Sequence, residues 1–219
     1  VSVLEEHKHY APKTTVKTVL SGRLGNHLFK IASAVGIAKK NNAQVCYDGG
    51  FLGHSIFDLY VPSCSPKPVV FREINEVGYA RFDMPDLQQP RDVSLGSNSY
   101  WQSFKYFKHI ALDGVFRIKD SSRFQGLNKL HKFCKNCTNI GIHVRRTDHL
   151  NGYLHVPGDK YFTNAIVFMK SKYKNVKFYV ASDDMQWCRQ SSAFDLGNDI
   201  VFLDGTKESD FALLVSCEH

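Results

Sequence analysis

NIGIHVRRTDHL (139–150) is the stretch on which the reading of the fold turns. Small and apolar residues run from Ile140 to Val144, and then four polar residues, Arg145, Arg146, Thr147 and Asp148, come together. A short apolar run closed by a polar turn predicts a buried strand that ends at a loop. The chain then takes up helical spacing from Asp159 to Tyr173, with Tyr161, Phe162, Ala165, Ile166 and Met169 predicted to face inward. Val176 to Ala181 is the next strand, Asp183 to Gln190 a short helix and Ile200 to Leu203 a third strand. A helix from Ser209 to Cys217 follows, core-facing with a polar end. Strands alternating with helices at this spacing predict a parallel, doubly wound α/β sheet with right-handed crossovers.

Upstream the same grammar appears once. Val16 to Leu20 is β-rich, Ser21 to Asn26 is a glycine loop, and Leu28, Ile31, Ala32 and Val35 recur at helical spacing. Gln44 to Tyr47 returns as a strand, which makes a βαβ unit. Residues 49–99 are punctuated by Pro62, Pro66, Pro68, Pro85 and Pro90, a composition that predicts loops and short strands. Trp101 to Ile118 is aromatic and predicts a helix leading into a second lobe, and residues 1–13 read as a polar tail or linker.

The chain has 219 residues, 43% hydrophobic and 22% charged, with 16 Phe and 10 Tyr, which suffices for one large α/β domain or two lobes. No stretch approaches the roughly 18 consecutive apolar residues of a membrane span. The chain begins at Val1, which leaves open an upstream leader or anchor. The formal net charge of +7 admits three sources: nucleic-acid binding, a basic pocket for a phosphorylated small molecule, or a solvated basic surface. Lysines are dispersed and no aromatic–basic surface pattern stands out, which argues against nucleic acid.

Six cysteines stand at 46, 64, 134, 137, 188 and 217. Cys134-Lys135-Asn136-Cys137 precedes a strand where a redox CxxC opens a helix, and no second close pair offers a zinc site. A local disulfide or plain thiols remain. Asn136-Cys137-Thr138 fits the N-glycosylation acceptor pattern, which together with the cysteines tilts the reading towards an oxidising, lumenal compartment.

In a parallel sheet, ligands sit at the carboxyl ends of the strands, which directs attention to the loops after Leu20, Val144, Ala181 and Leu203. In Ser21-Gly22-Arg23-Leu24-Gly25-Asn26, a strand-to-helix turn, free N–H groups and the helix dipole favour an anion; the same glycines could serve the turn alone. At the end of the 139–150 strand, alternation puts His143 and Arg145 on one face and Val144 and Arg146 on the other. A guanidinium matches phosphate oxygens bidentately and keeps its charge near neutrality. One arginine is expected to bind a phosphate while Arg146 braces the turn through Asp148. Asp183 and Asp184 could bind a metal, accept from a guanine or ribose, or cap the following helix. No nucleophile with a paired base and no metal-ligand cluster is evident. His7, His9, His54, His109 and His131 carry no other site signal.

These segments in this order, SGRLGNHLF (21–29), YWQSFKYF (100–107), GIHVRRTDHL (141–150), FYVASDDMQWC (178–188) and DFALLVSCEH (210–219), resemble the α-1,2-fucosyltransferases of glycosyltransferase family 11. HVRRTD also resembles the core α-1,6-fucosyltransferases, but the glycine loop and last helix fit family 11 better. The resemblance implies a GT-B-like α/β fold: two Rossmann-type lobes with doubly wound parallel sheets, the C-terminal one incomplete as given. The expected division is a tail or linker at 1–15, an N-terminal, acceptor-side lobe at 16–118 and a truncated GDP-sugar-binding lobe at 119–219.

The activity implied is inverting, metal-independent transfer of fucose from GDP-fucose to the 2-hydroxyl of a terminal galactose on a glycan. The alternative is a catalytically inactive GDP-sugar- or glycan-binding relative or fragment. By similarity His143 would contact the nucleoside, Arg145 the β-phosphate and one of Asp183 or Asp184 the guanine, with Arg146 beside them. Gly22, Arg23 and Asn26 would line the cleft from the other lobe, as part of the donor-binding set. Asp148 and His149 are candidate bases by position. No cofactor is implied beyond the donor, and no nucleic-acid partner. The implied setting is the Golgi lumen, as a type II membrane protein whose anchor is not in this chain, with Asn136 glycosylated. Two departures stand out: His27 replaces the family's usual glutamine, and Thr147 its usual glycine. The family also continues past the equivalent of His219 with a serine- and threonine-containing, tryptophan-rich segment.

Overall fold

The computed structural model describes residues 14–66, 70–78, 81–87, 91–134, 136–150, 152 and 155–219. His7 and His9, and nearly all of the expected tail, lie outside them. The chain forms two compact units, one up to Arg117 and one from Ile118 to His219.

In the first unit β1 (Thr15–Val19) runs into the glycine loop, α1 (Leu24–Lys40) and β2 (Gln44–Asp48). The two strands pair in parallel, Thr15 with Gln44 through Val19 with Asp48, so the loop after β1 lies at a carboxyl end. Ile31 and Ala32 of α1 are buried as the spacing predicts, whereas Leu28 and Val35 are only half-buried. The buried stripe instead takes in His27, Lys30, Ala34, Ile37 and Ala38. Two polar residues at helical spacing therefore belong to the core face.

Between residues 49 and 99 lie three short strands, β3 (Phe57–Leu59), β4 (Arg72–Ile74) and β5 (Val93–Leu95). β4 and β5 join the first two in a parallel sheet of order β2-β1-β5-β4. The helix expected over 101–118 does not form. That stretch holds two 3-10 turns, Phe104–Tyr106 and Leu112–Gly114, and then β6 (Phe116–Ile118), which pairs with β3. Its aromatic residues serve burial instead of a helical stripe: Trp101 and Tyr106 pack into the α1 face with ring centroids 5.3 Å apart. The close fit requires glycine at 36, because a Cβ there would overlap the Tyr106 carbonyl. A Cys46–Cys64 disulfide ties β2 to the loop after β3, where Ser63 bridges Tyr47.

The second unit runs α2 (Asp120–Phe133), β7 (Thr138–Val144), α3 (Thr147–Leu150), α4 (Asp159–Lys172), β8 (Val176–Ser182), α5 (Met185–Gln190), β9 (Ile200–Phe202) and α6 (Lys207–Leu214). The sheet is parallel in the order β7-β8-β9. Ile140, Val144, Phe162, Ile166, Phe178, Val180 and Phe194 fill one face, and Leu130, Tyr179, Ala181, Leu203 and Leu213 the other. Each of the Val, Leu, Ile and Phe side chains among them contributes about 1.5–3 kcal/mol on burial. Of the residues expected inward on α4, Phe162 and Ile166 are buried, while Ala165 and Met169 are half-buried. Tyr161 is 61% exposed, because the helix buries a stripe only one residue wide at its first turn. Cys134 and Cys137 form the local disulfide, with Asn136 exposed between them.

The far edge of β7 is also used. The Gly141 N–H donates to the His219 carbonyl at 2.7 Å, and the Glu218 N–H donates to the Asn139 carbonyl at 3.0 Å. β7 thus has β8 on one side and the backbone of residues 218–219 on the other. β1 likewise has β2 on one side and β5 on the other. β1, flanked by β2 and β5, is where the first unit's sheet changes direction, the place where open α/β sheets bind ligands, whereas β7 is the edge strand of the order β7-β8-β9.

Candidate functional site

The carboxyl ends of β7 and β8 lie side by side, His143 in register with Ala181 and Val144 with Ser182. This pairing brings the RRTD loop against Asp183 and Asp184. Asp183 Oδ1 accepts from the Arg146 N–H at 2.8 Å and Oδ2 from the Thr147 hydroxyl at 2.6 Å. Partial burial would raise the Asp183 carboxyl, but hydrogen bonds from the Thr147 hydroxyl and the N–H groups of Arg146 and Thr147 outweigh it and hold Asp183 below the ordinary range. Asp184 caps α5 by accepting from the Trp187 N–H at 3.1 Å, and its other oxygen accepts from Arg146 Nε at 3.3 Å. The Arg146 guanidinium lies 3.9 Å above the Trp187 ring centroid and is 14% exposed.

Asp148 pairs with the other arginine. Arg145 donates from Nε to Asp148 Oδ1 at 3.0 Å and from Nη2 to Oδ2 at 2.5 Å, both side chains being 36% exposed. The expectation that Arg146 braces the turn through Asp148 is therefore corrected. Arg145 lies just before the short helix α3 and Asp148, three residues on, in its first turn, whereas Arg146 points across to the next strand's loop. The Asp148 hydrogen bond raises the Arg145 guanidinium above its usual value, so it is permanently charged. His149 is half-buried beside this pair in sequence, and His143 is exposed.

His143, Asp183, Asp204, Lys207, Asp210 and Phe211 line a cleft of about 490 Å³ at the strand ends. Lys207 opens α6, which Thr206 caps through the Ser209 N–H. Asp204 pairs with Arg189, and Asp210 lies 3.9 Å from Lys129. A second gap of about 300 Å³ lies between β7 and α4, lined by Ile142, His143, Phe162, Ile166 and His219. Sequence reading missed Trp187, Asp204, Lys207 and Asp210. Asp184 and Trp187 stand at the i, i+3 spacing of an N-cap and its partner, a signal that could have joined them. Among the described residues no three His, Cys, Asp or Glu side chains converge in a way that could hold a metal ion, and no helix is long and apolar enough to cross a membrane.

Gly22, Arg23 and Asn26 belong to the first unit. Gly22 adopts φ +80°, and Arg23 is the N-cap of α1 without a side-chain capping bond. Asn26 Oδ1 accepts from Gln102 Nε2 at 2.8 Å. Behind this loop Lys30, 1% exposed, donates to the Val19 carbonyl, the Ser21 hydroxyl and the Ser97 carbonyl at 2.8–3.1 Å. Burial lowers its ammonium, opposed by the charge of Glu76. Glu76 Oε2 accepts from the Trp101 N–H at 2.8 Å, while Oε1 is buried with no hydrogen-bond partner. Burial raises the Glu76 carboxyl; the N–H groups of Trp101 and Tyr100 and the Lys30 charge oppose that. His27, in the position where a glutamine was expected, is buried and receives the Leu52 N–H at 3.4 Å. Burial first, and then Lys30, lower its imidazole.

The model of the family described as "Glycosyl transferase family 11" matches residues 70–219. Galactoside alpha-(1,2)-fucosyltransferase 1 of Sus scrofa is 26% identical over 235 residues, covering 97% of this chain and 63% of that protein. The enzyme of the same name from Rattus norvegicus is 37% identical over 219 residues, 90% of this chain and 57% of its own length. The chain therefore spans about three-fifths of these relatives. Among solved structures, NodZ alpha-1,6-fucosyltransferase co-crystallized with GDP superposes with a TM-score of 0.55 at 15% identity, over 93% of this chain and 82% of that one. That last likeness is one of fold: parallel-sheet α/β units of Rossmann type.

Proposed function

We propose that this chain, which belongs to glycosyl transferase family 11, carries the donor-binding part of a galactoside α-1,2-fucosyltransferase that uses GDP-fucose. The observation that carries the reading is the Arg145 guanidinium, half-exposed at the carboxyl end of β7, beside that of β8. The relatives named for α-1,2-fucosyl transfer supply the reaction, and the neighbour co-crystallized with GDP supplies the nucleotide.

In this reading the galactose 2-hydroxyl oxygen bonds to the fucose anomeric carbon as the bond from that carbon to the β-phosphate oxygen breaks. GDP leaves with the electron pair, and the hydroxyl proton passes to a base. Charge that grows on the β-phosphate meets Arg145, whose placement by Asp148 is set before the substrate arrives. One such donor is worth roughly 3–4 kcal/mol of transition-state stabilisation. Asp148 spends both oxygens on Arg145, so we assign it to orienting that side chain and keep His149 as the base on this unit. Arg146, stacked on Trp187 and held by Asp184, stiffens the loop. With Asp183 and Asp184 occupied by the loop and both Asp204 oxygens by Arg189, the cleft carboxylate left to read a guanine edge is Asp210, with His143 against the nucleoside. Gly22, Arg23 and Asn26 serve the acceptor side, in the unit we assign to the acceptor. We place the protein in the Golgi lumen, an oxidising setting that suits the Cys46–Cys64 and Cys134–Cys137 disulfides and leaves the exposed Asn136 open to glycosylation.

Calorimetric titration of GDP and GDP-fucose into the full chain, with a transfer assay on a terminal galactoside without added metal, tests this. Binding with turnover supports it. Binding without turnover favours a GDP-sugar-binding relative, and no binding by either nucleotide overturns it.

A further inference from the structure

The polar knot behind the glycine loop has no part in the donor chemistry above, and three of its features are costly to keep. Trp101, a bulky residue that is 1% exposed, holds φ +53° in the left-handed region, which glycine favours. Glu76 keeps one oxygen buried and unpaired. Lys30 buries its ammonium on the core face of α1. Orphaned polar atoms and strained backbone persist where something other than stability requires them.

We propose that Glu76 is a positioning residue for a galactoside bound on the first unit, acting through the backbone of Trp101. The inference rests on the transferase reading and names the residue that shapes its acceptor side. Trp101 is pinned at both ends of its peptide: its N–H donates to Glu76 Oε2 at 2.8 Å, and its carbonyl accepts from the Ser33 hydroxyl at 2.7 Å. That left-handed turn decides where its two neighbours project. Tyr100 lies with its ring 5.3 Å from Lys30 Nζ, and Gln102 donates to Asn26 of the glycine loop. Both neighbours are half-buried, at the carboxyl ends of β1 and β5, where this sheet changes direction. A half-open aromatic ring beside paired side-chain amides suits a sugar, whose C–H face packs on a ring while its hydroxyls pair with amides. The carboxylate also answers the buried Lys30 charge, which a neutral acceptor would leave uncompensated.

The test titrates methyl β-galactoside and, separately, GDP into the full chain and its Glu76→Ala, Glu76→Gln and Gln102→Ala variants, with melting temperature alongside. Glu76→Ala and Gln102→Ala are expected to weaken galactoside binding at least about tenfold, as a polar group misplaced by ~1 Å does. Glu76→Gln keeps an oxygen for the Trp101 N–H and should restore binding to within about threefold of the native chain. GDP affinity should stay within about twofold throughout, since the nucleotide is assigned to the other unit. A lowered melting temperature with unchanged galactoside affinity in Glu76→Ala would make Glu76 structural only and overturn the proposal. If Glu76→Ala does not fold, unchanged binding in Gln102→Ala overturns it instead. A native chain that binds GDP but no galactoside sinks this inference alone, whereas loss of GDP binding sinks the transferase reading.

Discussion

The two strand-end loops of this molecule solve one geometric problem in opposite ways. Both follow a parallel strand at its carboxyl end, and both gather cations and carboxylates there. After β7 the cations are arginines near the surface, and Arg145 holds a single carboxylate with a third of both side chains in water. After β1 the cation is Lys30, 1% exposed, with three protein oxygens around its ammonium. A half-solvated guanidinium has further N–H donors for an incoming phosphate while Asp148 keeps it aimed, and the exposed pair itself is worth only ~0–1 kcal/mol. A buried, saturated ammonium cannot exchange partners without unmaking the loops that it joins. The difference separates a binding group from a framework group, although both are basic residues beside a sheet.

The largest effect should come from Arg145→Ala, which is expected to lower transfer about 10²–10³-fold while moving the melting temperature by no more than about 2 °C. Steady-state kinetics with thermal denaturation checks this, and a large loss of stability would erase the contrast between the loops. Lys30→Met should do the reverse. It strands the Val19 and Ser97 carbonyls and the Glu76 charge, and we expect a loss of roughly 3 kcal/mol in chemical denaturation. GDP affinity should be little changed in that variant. Trp187→Leu removes the ring beneath Arg146 and should cost about 1 kcal/mol, read as a three- to fivefold weaker GDP affinity by calorimetry.

The smallest effect concerns acid. Asp183 is held below the ordinary carboxylate range in the folded chain, so its contribution is full above the unfolded value and fades as pH falls through the folded one. GDP binding should therefore hold steady from neutrality down to about pH 4 as far as Asp183 is concerned, and weaken below it. Asp183→Asn should remove that acid limb, and an unchanged limb would show that another group produces it.

What could be read from the residues follows the same division. The second unit was legible because periodicity and motif agree there: Ile140 to Val144 is a strand, its end is polar, and the sheet order follows from the alternation. The pairing of the two arginines was not, since alternation along a strand no longer applies once the chain turns into α3 at Thr147. In the first unit β4 and β5 are three residues each, too short for any period to show. The stretch from Trp101 carries enough aromatic residues for a helix, yet a left-handed turn at Trp101 and tertiary packing of Tyr106 set its path. Lys30 and Glu76 are 46 residues apart in separate segments, and only the folded sheet puts Lys30 among the groups that perturb Glu76. Buried polar partners of that kind leave no local signature.

The parallel pairing of β1 with β5 also bears on how the chain reaches its fold. The Thr15 N–H meets Asp92 across 77 residues, whereas in the second unit Tyr179 meets Asn139 across 40. Each doubling of a closed loop costs about 0.6 kcal/mol, or roughly a threefold slower closure. The pairing of β7 with β8 should therefore gain amide protection before that of β1 with β5 in pulse-labelled refolding. On a ribosome β1 emerges early, and it must wait with an unsatisfied edge until its partner some eighty residues later has been made.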